Sequence, residues 1–399
     1  AMDNLQRYLA LVVLSLCSLL GTPAAVYAAA GYVETDLVVN QQVNNVPTLT
    51  DKNGIVHVAK FFDPNLVNPW GVGESATSPF WVSDNGAGVS SLYNTQGTPQ
   101  SLVVAIPAPD DPLGTGGAPT GLVFNTAQAQ GAFKIVGVNS NGAAVSLPAV
   151  FLFAAEDGTI LGWNPGVNPP NTPVASRGRH AIIAVDHSAI PDAANGAVYK
   201  GLAIATDSNG HTFLYATNFR AGTVDVYNAA FQQVTLPPNA FVDPHLPRGY
   251  APFNVVPIGN RLFVTYAVQG AEKKDDVAGQ SHGIVDTFDL AGNMLARFAQ
   301  HGQLDSPWGV AQAPAGFGQF SGQILIGNFG NGHINAFDPA TGEFVDKVRN
   351  PHGQAIVIDG LWTIMFGNGR NGGDQNKLYF TAGPNDESDG LFGSLAPAE

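Results

Sequence analysis

Side chains that carry carboxylate and amide oxygens recur at turns that lie far apart in the sequence. Each turn follows a short apolar stretch, and most contain a Gly. Such oxygens are the ligands of a hard cation such as calcium, which takes about six to eight of them. Calcium or another divalent cation is therefore a predicted cofactor. The candidate metal ligands are Asp84, Glu156, Asp157, Asn385, Glu387 and Asp389.

Residues 385–390 carry the sharpest local signal of this kind. Their sequence, NDESDG, alternates oxygen-bearing residues ahead of a Gly as calcium loops do, although the distal Glu of an EF-hand is missing. A plainer interpretation applies to every one of these turns, because Asp-Gly and Asn-Gly supply the positive φ that tight hairpins need. Cation binding and simple hairpin geometry both remain open.

A second group of residues could bind an organic ligand. Trp70 and Trp308 stand at equivalent positions and could form an aromatic platform for a sugar ring, or pack as buried aromatics. His352 could act as a general base or a ligand near the mouth of a channel. The other candidate ligand-binding residues offer amides and one guanidinium, and they are Asn85, Asn218, Arg220 and Asn328.

Composition and motifs exclude several other classes of function. The net charge is -14 and there is no Lys/Arg-rich run, which argues against binding nucleic acid. The Gly-rich stretches lack the Lys-Ser/Thr of a phosphate loop, and no G-x-S-x-G elbow of a serine hydrolase is present. Nothing in the sequence indicates a nucleotide or a haem as cofactor.

An internal repeat supplies the elements that must position these residues. Each copy is an apolar strand, a polar turn with Gly, and a second strand that ends in an aromatic residue. The copies start 49 to 71 residues apart, which is typical of four-stranded propeller blades. They span residues 80–94, 151–164, 213–228 and 324–338, with divergent copies at 262–289 and 378–395.

A short apolar strand introduced by Pro or Gly precedes each hairpin and is predicted to be the innermost strand. The sixth copy lacks an outer strand, whereas residues 32–40 form a spare strand before the first copy. The predicted fold is therefore all-β, a six-bladed β-propeller whose ring is closed by an N-terminal strand. The turn residues and the loop at 267–283 should meet at one mouth of its channel.

The motifs resemble those of NHL-repeat six-bladed propellers. The likeness is clearest in residues 306–344, with a P-x-G-V start at Pro307 and an N-x-G-N-G turn at 328–332. The chain also resembles an uncharacterised family of exported bacterial propeller proteins. This resemblance implies a propeller and export, and it implies no particular activity.

Residues 1–30 are predicted to be a signal peptide. Arg7 precedes an apolar run at 9–20, and small residues follow at 28–30. The single cysteine, Cys17, lies in this leader. We therefore expect a periplasmic or secreted protein, with residues 31–399 as one propeller domain that has no disulfide and no membrane span.

Two functions of different classes fit these observations, and a structural or matrix role is a third. The first is a protein that binds a small molecule, a glycan or an extracellular protein at the channel face. The second is a metal-dependent hydrolase, similar in plan to the gluconolactonase and paraoxonase propellers. In that case Asp84, Glu156, Asp157 or Asn328 would hold a cation that activates water. The sequence leaves open whether the protein is an enzyme.

Overall fold

Strands and short turns alternate throughout residues 30–399, the part of the chain that the computed structural model describes. This part contains one short helix, α1 (Pro384–Glu387), and 3₁₀ turns at Gln128–Gln130, Val174–Ser176 and Gly318–Phe320. The strands are β1 (Tyr32–Val39), β2 (Gln42–Val43), β3 (Val46–Thr50), β4 (Val56–Val58), β5 (Phe61–Phe62), β6 (Pro69–Gly73), β7 (Phe80–Asp84), β8 (Val89–Tyr93), β9 (Val104–Ala105), β10 (Pro119–Phe124), β11 (Lys134–Val138), β12 (Ala144–Pro148), β13 (Phe151–Ala155), β14 (Thr159–Trp163), β15 (Ile182–Asp186), β16 (Tyr199–Thr206), β17 (Thr212–Asn218), β18 (Thr223–Tyr227), β19 (Tyr250–Ile258), β20 (Arg261–Val268), β21 (Ile284–Phe288), β22 (Met294–Gln300), β23 (Pro307–Gln312), β24 (Ile324–Asn328), β25 (Ile334–Phe337), β26 (Phe344–Lys347), β27 (Leu361–Phe366), β28 (Leu378–Ala382) and β29 (Leu391–Pro397).

The main sheets follow one another along the chain and are built mostly from antiparallel neighbours. Each predicted repeat copy supplies the second and third strands of a sheet, and a short strand before it supplies the first. In strand order, the main sheets of residues 30–399 are β6-β7-β8-β9, β10-β13-β14-β15, β16-β17-β18, β19-β20-β21-β22, β23-β24-β25-β26 and β27-β28-β29-β1-β5. The prediction of four strands in every sheet is therefore wrong for the third sheet, which has three strands, and for the last, which has five.

The first strands of these sheets lie side by side around one axis. Each contacts the first strand of the next sheet, and β27 contacts β6. Glycine allows this close approach, because a Cβ on Gly71 would lie 2.3 Å from the carbonyl oxygen of Thr120. A Cβ on Gly121 would likewise lie 2.2 Å from the backbone nitrogen of Leu202. The fold is all-β and propeller-like.

The N-terminal strand β1 pairs with the C-terminal strand β29, as the spare strand in the sequence predicts. The pairing is antiparallel and runs from Tyr32 opposite Pro397 to Val39 opposite Leu391. Tyr32 also reaches the neighbouring sheet, because its hydroxyl donates to the carbonyl oxygen of Phe317 at 2.7 Å. The two ends of the described chain therefore share one sheet.

Small additions to the main sheets have no counterpart in the sequence prediction. Strand β5 extends the last sheet in parallel with β1, and β2, β3 and β4 form a small sheet beside it. A separate hairpin of β11 and β12 is inserted in the sequence between β10 and β13, which are neighbours in their own sheet. These strands are short and lack the repeat motif, so the repeat pattern does not predict them.

Apolar and aromatic contacts hold neighbouring sheets together. Trp81 of β7 stacks on Phe151 of β13 with ring centroids 4.1 Å apart, which joins the first two main sheets. Burying a side chain of this size contributes about 1.5–3 kcal/mol. Because Cys17 is the single cysteine of the chain, packing of this kind must stabilise residues 30–399 without disulfides.

The predicted signal peptide lies almost entirely outside the described residues, which begin at residue 30. Within residues 30–399, no helix combines the length and apolar character needed to cross a bilayer.

Candidate functional site

Most of the predicted site residues lie at one end of the sheets because of strand register. The second strand of each main sheet ends opposite the start of the first strand. This end, around the beginnings of the six first strands, is called the channel mouth below. The pairs that define it are Asp84 with Pro69, Ala155 with Pro119, Asn218 with Tyr199, Ala267 with Ala251, Asn328 with Pro307, and Ala382 with Leu361.

A buried ion pair occupies the channel mouth. Lys200, the second residue of β16, places Nζ 2.5 Å from Oε2 of Glu156, which directly follows β13. Only 2% of the Lys200 side chain and 10% of the Glu156 side chain are exposed. Asp275, from the long loop between β20 and β21, lies 3.3 Å from the same ammonium. Three separate parts of the chain therefore meet at Lys200.

Lys200 takes a position that four of the other five main sheets give to a large aromatic residue. It follows the first residue of β16 at a local irregularity in register. Its ammonium lies 5.1 Å from the ring centroid of Trp70 and 5.9 Å from that of Phe219, close enough for cation–π attraction. The equivalent residues of the other first strands are Trp70, Thr120, Phe253, Trp308 and Trp362.

The aromatic residues at these positions form a plug across the channel. Trp70 stacks on Trp362 with centroids 3.5 Å apart, and Trp308 meets both rings edge-on. Trp70 is 2% exposed and Trp308 is 3% exposed. The two tryptophans therefore pack against each other, so the alternative of an open platform for a sugar does not hold. Phe329, which is half-buried, stacks on Trp362 at 3.9 Å.

A chain of amide hydrogen bonds extends the ion pair to other sheets. Asn85 donates to Oε1 of Glu156 at 2.8 Å, and Asn68 donates to Oδ1 of Asn85 at 3.2 Å. Asn68 also donates to Oε1 of Glu387 at 3.0 Å. Trp362 donates from Nε1 to Oδ1 of Asn68 at 2.9 Å, which holds the amide in place. Glu156, Asn85, Asn68 and Glu387 thus form one connected network.

Burial and charge act in opposite directions on the pKa values of the ion pair. Burial alone would raise the pKa of Glu156, but the charge and hydrogen bond of Lys200 outweigh it and the pKa is lowered. Burial alone would lower the pKa of Lys200, but Glu156 outweighs it and the pKa is raised. Both partners are therefore charged at neutral pH. Burial raises the pKa of Glu387 and of Asp276.

Most of the predicted metal ligands have other partners. Asp84 is fully buried and its Oδ2 accepts from the backbone N–H of Ser91 at 3.0 Å. Asp157 accepts from the N–H of Ala118 at 2.7 Å. Oδ1 of Asp84 has no partner, but no three of the predicted carboxylate ligands bring their donor atoms within 4.8 Å of one another in residues 30–399, so they do not form a coordination set. Within residues 30–399, the clustered His and carboxylate donors lie elsewhere, on the N-terminal strands.

The turn at 385–389 is also occupied by protein contacts. Asn385, Asp386 and Glu387 all have positive φ, between 53° and 66°. Asn385 donates to Oδ2 of Asp389 at 2.8 Å, and Gln41 donates to Oδ1 of Asp389 at 2.7 Å. The turn therefore binds the segment that follows β1, and Glu387 alone joins the network at the mouth.

Asn218 and Asn328 lie at the channel mouth and form hydrogen bonds with other protein groups. Asn218 donates to Oδ2 of Asp225 at 3.2 Å, and Asn328 donates to the carbonyl oxygen of Gln303 at 2.8 Å. Arg220 is half-buried and donates to the carbonyl oxygen of Gly196 at 3.0 Å.

The expected position of His352 requires correction. It lies exposed in the turn after β26, the outermost strand of its sheet, beside Gly31 and Arg349. Residues 349 and 355 pair in an extra small hairpin, which keeps His352 at the outer edge before the chain returns to β27. It therefore does not reach the channel mouth.

Sequence reasoning missed Lys200 and Asn68, the two residues that connect the network. One signal for Lys200 was present, since it is the single charged residue in a column that otherwise holds three Trp, one Phe and one Thr. Its partners, however, come from another sheet and a long loop, and no local motif links them.

Several solved structures are similar to this chain in part. A streptogramin B lyase has a TM-score of 0.46 at 12% identity, covering 92% of this chain and 98% of that one. The PQQ-bound aldose sugar dehydrogenase of Streptomyces coelicolor has a TM-score of 0.48 at 12% identity, with the same coverage of 92% and 98%. Values this low carry no argument about what this chain binds or does.

Sequence comparison shows a closer relationship with viral proteins, while no protein-family model matches. Uncharacterized protein R648 of Acanthamoeba polyphaga mimivirus is 29% identical over 347 residues, covering 84% of this chain and 76% of the relative. Uncharacterized protein L690 of the same virus is 31% identical over 348 residues, covering 85% of this chain and 82% of the relative. The resemblance to exported bacterial propellers stays a prediction. This chain belongs to the same family as protein L690 of the mimivirus.

Proposed function

We propose that residues 31–399 form one exported six-bladed propeller that binds a small polar ligand at the channel mouth. The successive contacts of the first strands, and the return of β27 to β6, support a closed ring. The pairing of β1 with β29 supports closure by the N-terminal strand. The predicted leader in residues 1–30 supports export to the periplasm or out of the cell.

The buried ion pair of Lys200 and Glu156 is the observation that carries the binding proposal. An ammonium with a 2% exposed side chain has lost most of its hydration, which is costly unless other groups compensate for it. Packing between the first strands does not require a charged residue at position 200, because the equivalent positions of other sheets hold Trp70, Trp308 or Trp362. Charged groups buried against the packing preference are typical of functional sites.

The surroundings of Lys200 favour a ligand that is rich in hydrogen-bond donors. Asp275 and Asp276 of the long loop, together with Glu387, add carboxylates around an ammonium that Glu156 already neutralises. Carboxylates accept hydrogen bonds from hydroxyl and amine groups, and those bonds are stronger than neutral ones. The ligand class is therefore a hydroxyl-rich glycan or a small amine, with donor groups as the shared chemistry.

Binding has more support than a metal-dependent hydrolase. Lys200 already supplies a positive charge beside Glu156, and backbone N–H groups engage Asp84 and Asp157. A cation at Glu156 or Asp157 would have to displace contacts that are already made. No observation in residues 30–399 favours a reaction at the mouth.

Two probes distinguish a ligand with hydroxyl donors from a ligand with amine donors. An array of neutral oligosaccharides presents hydroxyl groups, and titration calorimetry with spermidine presents amines. We expect one of the two to bind, and raising the salt concentration should weaken only spermidine. If neither probe binds, the binding proposal is wrong.

Variants then locate the binding. Asp275→Asn and Glu387→Gln each remove one carboxylate at the rim without changing its size, and we expect an affinity loss of about tenfold from each. Glu343→Gln is the matched control, since Glu343 is exposed in an outer turn of another sheet. Equal affinity in all three variants would place the bound probe away from the channel mouth.

A further inference from the structure

A second cluster of ionisable groups lies on the N-terminal strands, apart from the channel mouth. Glu34 and Asp36 are two residues apart on β1, so both project from the same face of the strand. His57 lies at the centre of β4, and its side chain is 4% exposed. The strands β3 and β4 contact β1 here, which brings the three side chains together.

The donor atoms of this cluster have the spacing of a metal coordination shell. Nδ1 of His57 lies 3.1 Å from Oδ2 of Asp36 and 3.6 Å from Oε1 of Glu34. All three donor atoms lie within 4.8 Å of one another. Ligands about 2.0–2.1 Å from a tetrahedral zinc ion are separated by roughly 3.3 Å. The observed separations fall on either side of that value.

The other ring nitrogen of His57 faces a buried carboxylate. Nε2 lies 3.5 Å from Oδ2 of Asp51, whose side chain has no exposed surface. Asp51 is held in place because its Oδ1 accepts from the backbone N–H groups of Asn53 and Ile55, each at 2.9 Å. A carboxylate behind the histidine is the usual support of a metal-bound imidazole, because it fixes the ring and increases its basicity.

The cluster also contains oxygen atoms that lack partners. Oε1 of Glu34 and Oδ1 of Asp36 are buried and make no hydrogen bond within residues 30–399. Buried polar atoms are usually satisfied, so these two oxygen atoms, one on each carboxylate beside His57, indicate a missing partner.

We propose that Glu34, Asp36 and His57 bind a divalent transition metal such as zinc, with Asp51 orienting the histidine. One imidazole and two carboxylates suit zinc or manganese, and water would complete the coordination. The metal would connect β4 to β1, the strand that pairs with β29. Its role would be structural, and the proposal is independent of ligand binding at the channel mouth.

Metal binding by the full chain tests this directly. After treatment with EDTA and its removal, titration calorimetry with ZnCl₂ should give about one strong site per chain, and zinc should raise the melting temperature. Asp36→Asn and His57→Gln should each abolish that site. Asp51→Asn should weaken zinc binding by about 10–100-fold, as expected for a supporting residue.

A control variant and a direct measurement complete the test. His211→Gln removes an exposed histidine 3.6 Å from Asp207, a pair that could bind zinc weakly, and should leave the strong site unchanged. Near-ultraviolet circular dichroism reports whether each variant is folded. Anomalous scattering at the zinc edge from crystals of the wild-type chain should place the ion between Glu34, Asp36 and His57. An ion elsewhere, or strong binding retained in both Asp36→Asn and His57→Gln, would overturn the proposal.

Discussion

Lys200 and Glu156 meet across two neighbouring sheets although 44 residues separate them in the sequence, with Nζ 2.5 Å from Oε2. The pair lies where the first strands begin, and it links the amide network to the loop that carries Asp275. Because neither partner is more than 10% exposed, each depends on the other for charge compensation. The pair therefore contributes to the stability of the mouth, and the proposed binding of a ligand depends on the same residues.

Removing one member of this pair should be costly. We expect Lys200→Met to lower the free energy of unfolding by about 3–5 kcal/mol, because it leaves the Glu156 carboxylate buried without its cation. The double variant Lys200→Met/Glu156→Gln should recover part of that loss. Urea unfolding measures both values. Arg349→Met, which breaks a more exposed pair with Asp346, is the control and should cost far less stability than Lys200→Met. Equal losses in the single and double variants would contradict this account of the pair.

A second prediction concerns Glu74, which follows β6 at the opposite end of the channel from Lys200. Burial raises its pKa to about 9, and its Oε2 has no partner within residues 30–399. The folded protein thus binds this proton more tightly than the unfolded chain does. The resulting stability is complete below the unfolded pKa of about 4.3 and is lost as the pH rises towards 9.

Glu74→Gln imitates the protonated acid and should remove that pH dependence. We expect the variant to melt close to the wild type at pH 5 and at a higher temperature than the wild type at pH 8.5. Thermal denaturation followed by circular dichroism at the two pH values measures the difference. If the gap between the two proteins stayed constant with pH, the carboxyl group would not be titrating as described.

The close approach of the first strands predicts a steric effect at Gly71. An added methyl group would lie 2.3 Å from the carbonyl oxygen of Thr120, and this backbone atom cannot move aside without shifting β10. We expect Gly71→Ala to destabilise the protein by about 1–3 kcal/mol. Gly116→Ala, in an exposed loop with 3.3 Å to its nearest neighbour, should change the stability by less than about 0.5 kcal/mol. Similar values for the two variants would argue against a crowded axis.

Loss of β1 should expose a sheet edge. A chain that begins at residue 41 leaves β29 without its partner, and unpaired strand edges promote association between molecules. We expect this shortened chain to elute as large aggregates in size-exclusion chromatography with light scattering, whereas a chain that begins at residue 30 should be uniform. A monodisperse, folded protein lacking β1 would show that its pairing is dispensable.

The strands could be predicted from the sequence because their signals are local. An apolar stretch, a Gly turn and an aromatic end identify the hairpin of β7 and β8 without knowledge of the rest of the chain. Topology also predicts that the turn after the second strand lies beside the start of the first strand. The pairing of Asp84 with Pro69 is an example.

The contacts of the site could not be predicted in the same way. Whether Glu156 contacts a metal ion or the ammonium of Lys200 depends on how neighbouring sheets are rotated relative to each other. No sequence pattern predicts that rotation. Cysteine and histidine spacing likewise gives no sign of the cluster at His57, because its members come from two different strands. Those contacts depend on tertiary structure.

A crystal structure of the protein with whichever probe binds is the most direct test of the central claim. We predict density for the probe at the channel mouth, with a hydroxyl or amine group within hydrogen-bond distance of a carboxylate oxygen of Asp275, Asp276 or Glu387. Lys200 should remain paired with Glu156 beneath it. A probe bound at another surface, with the mouth holding only water, would contradict the account.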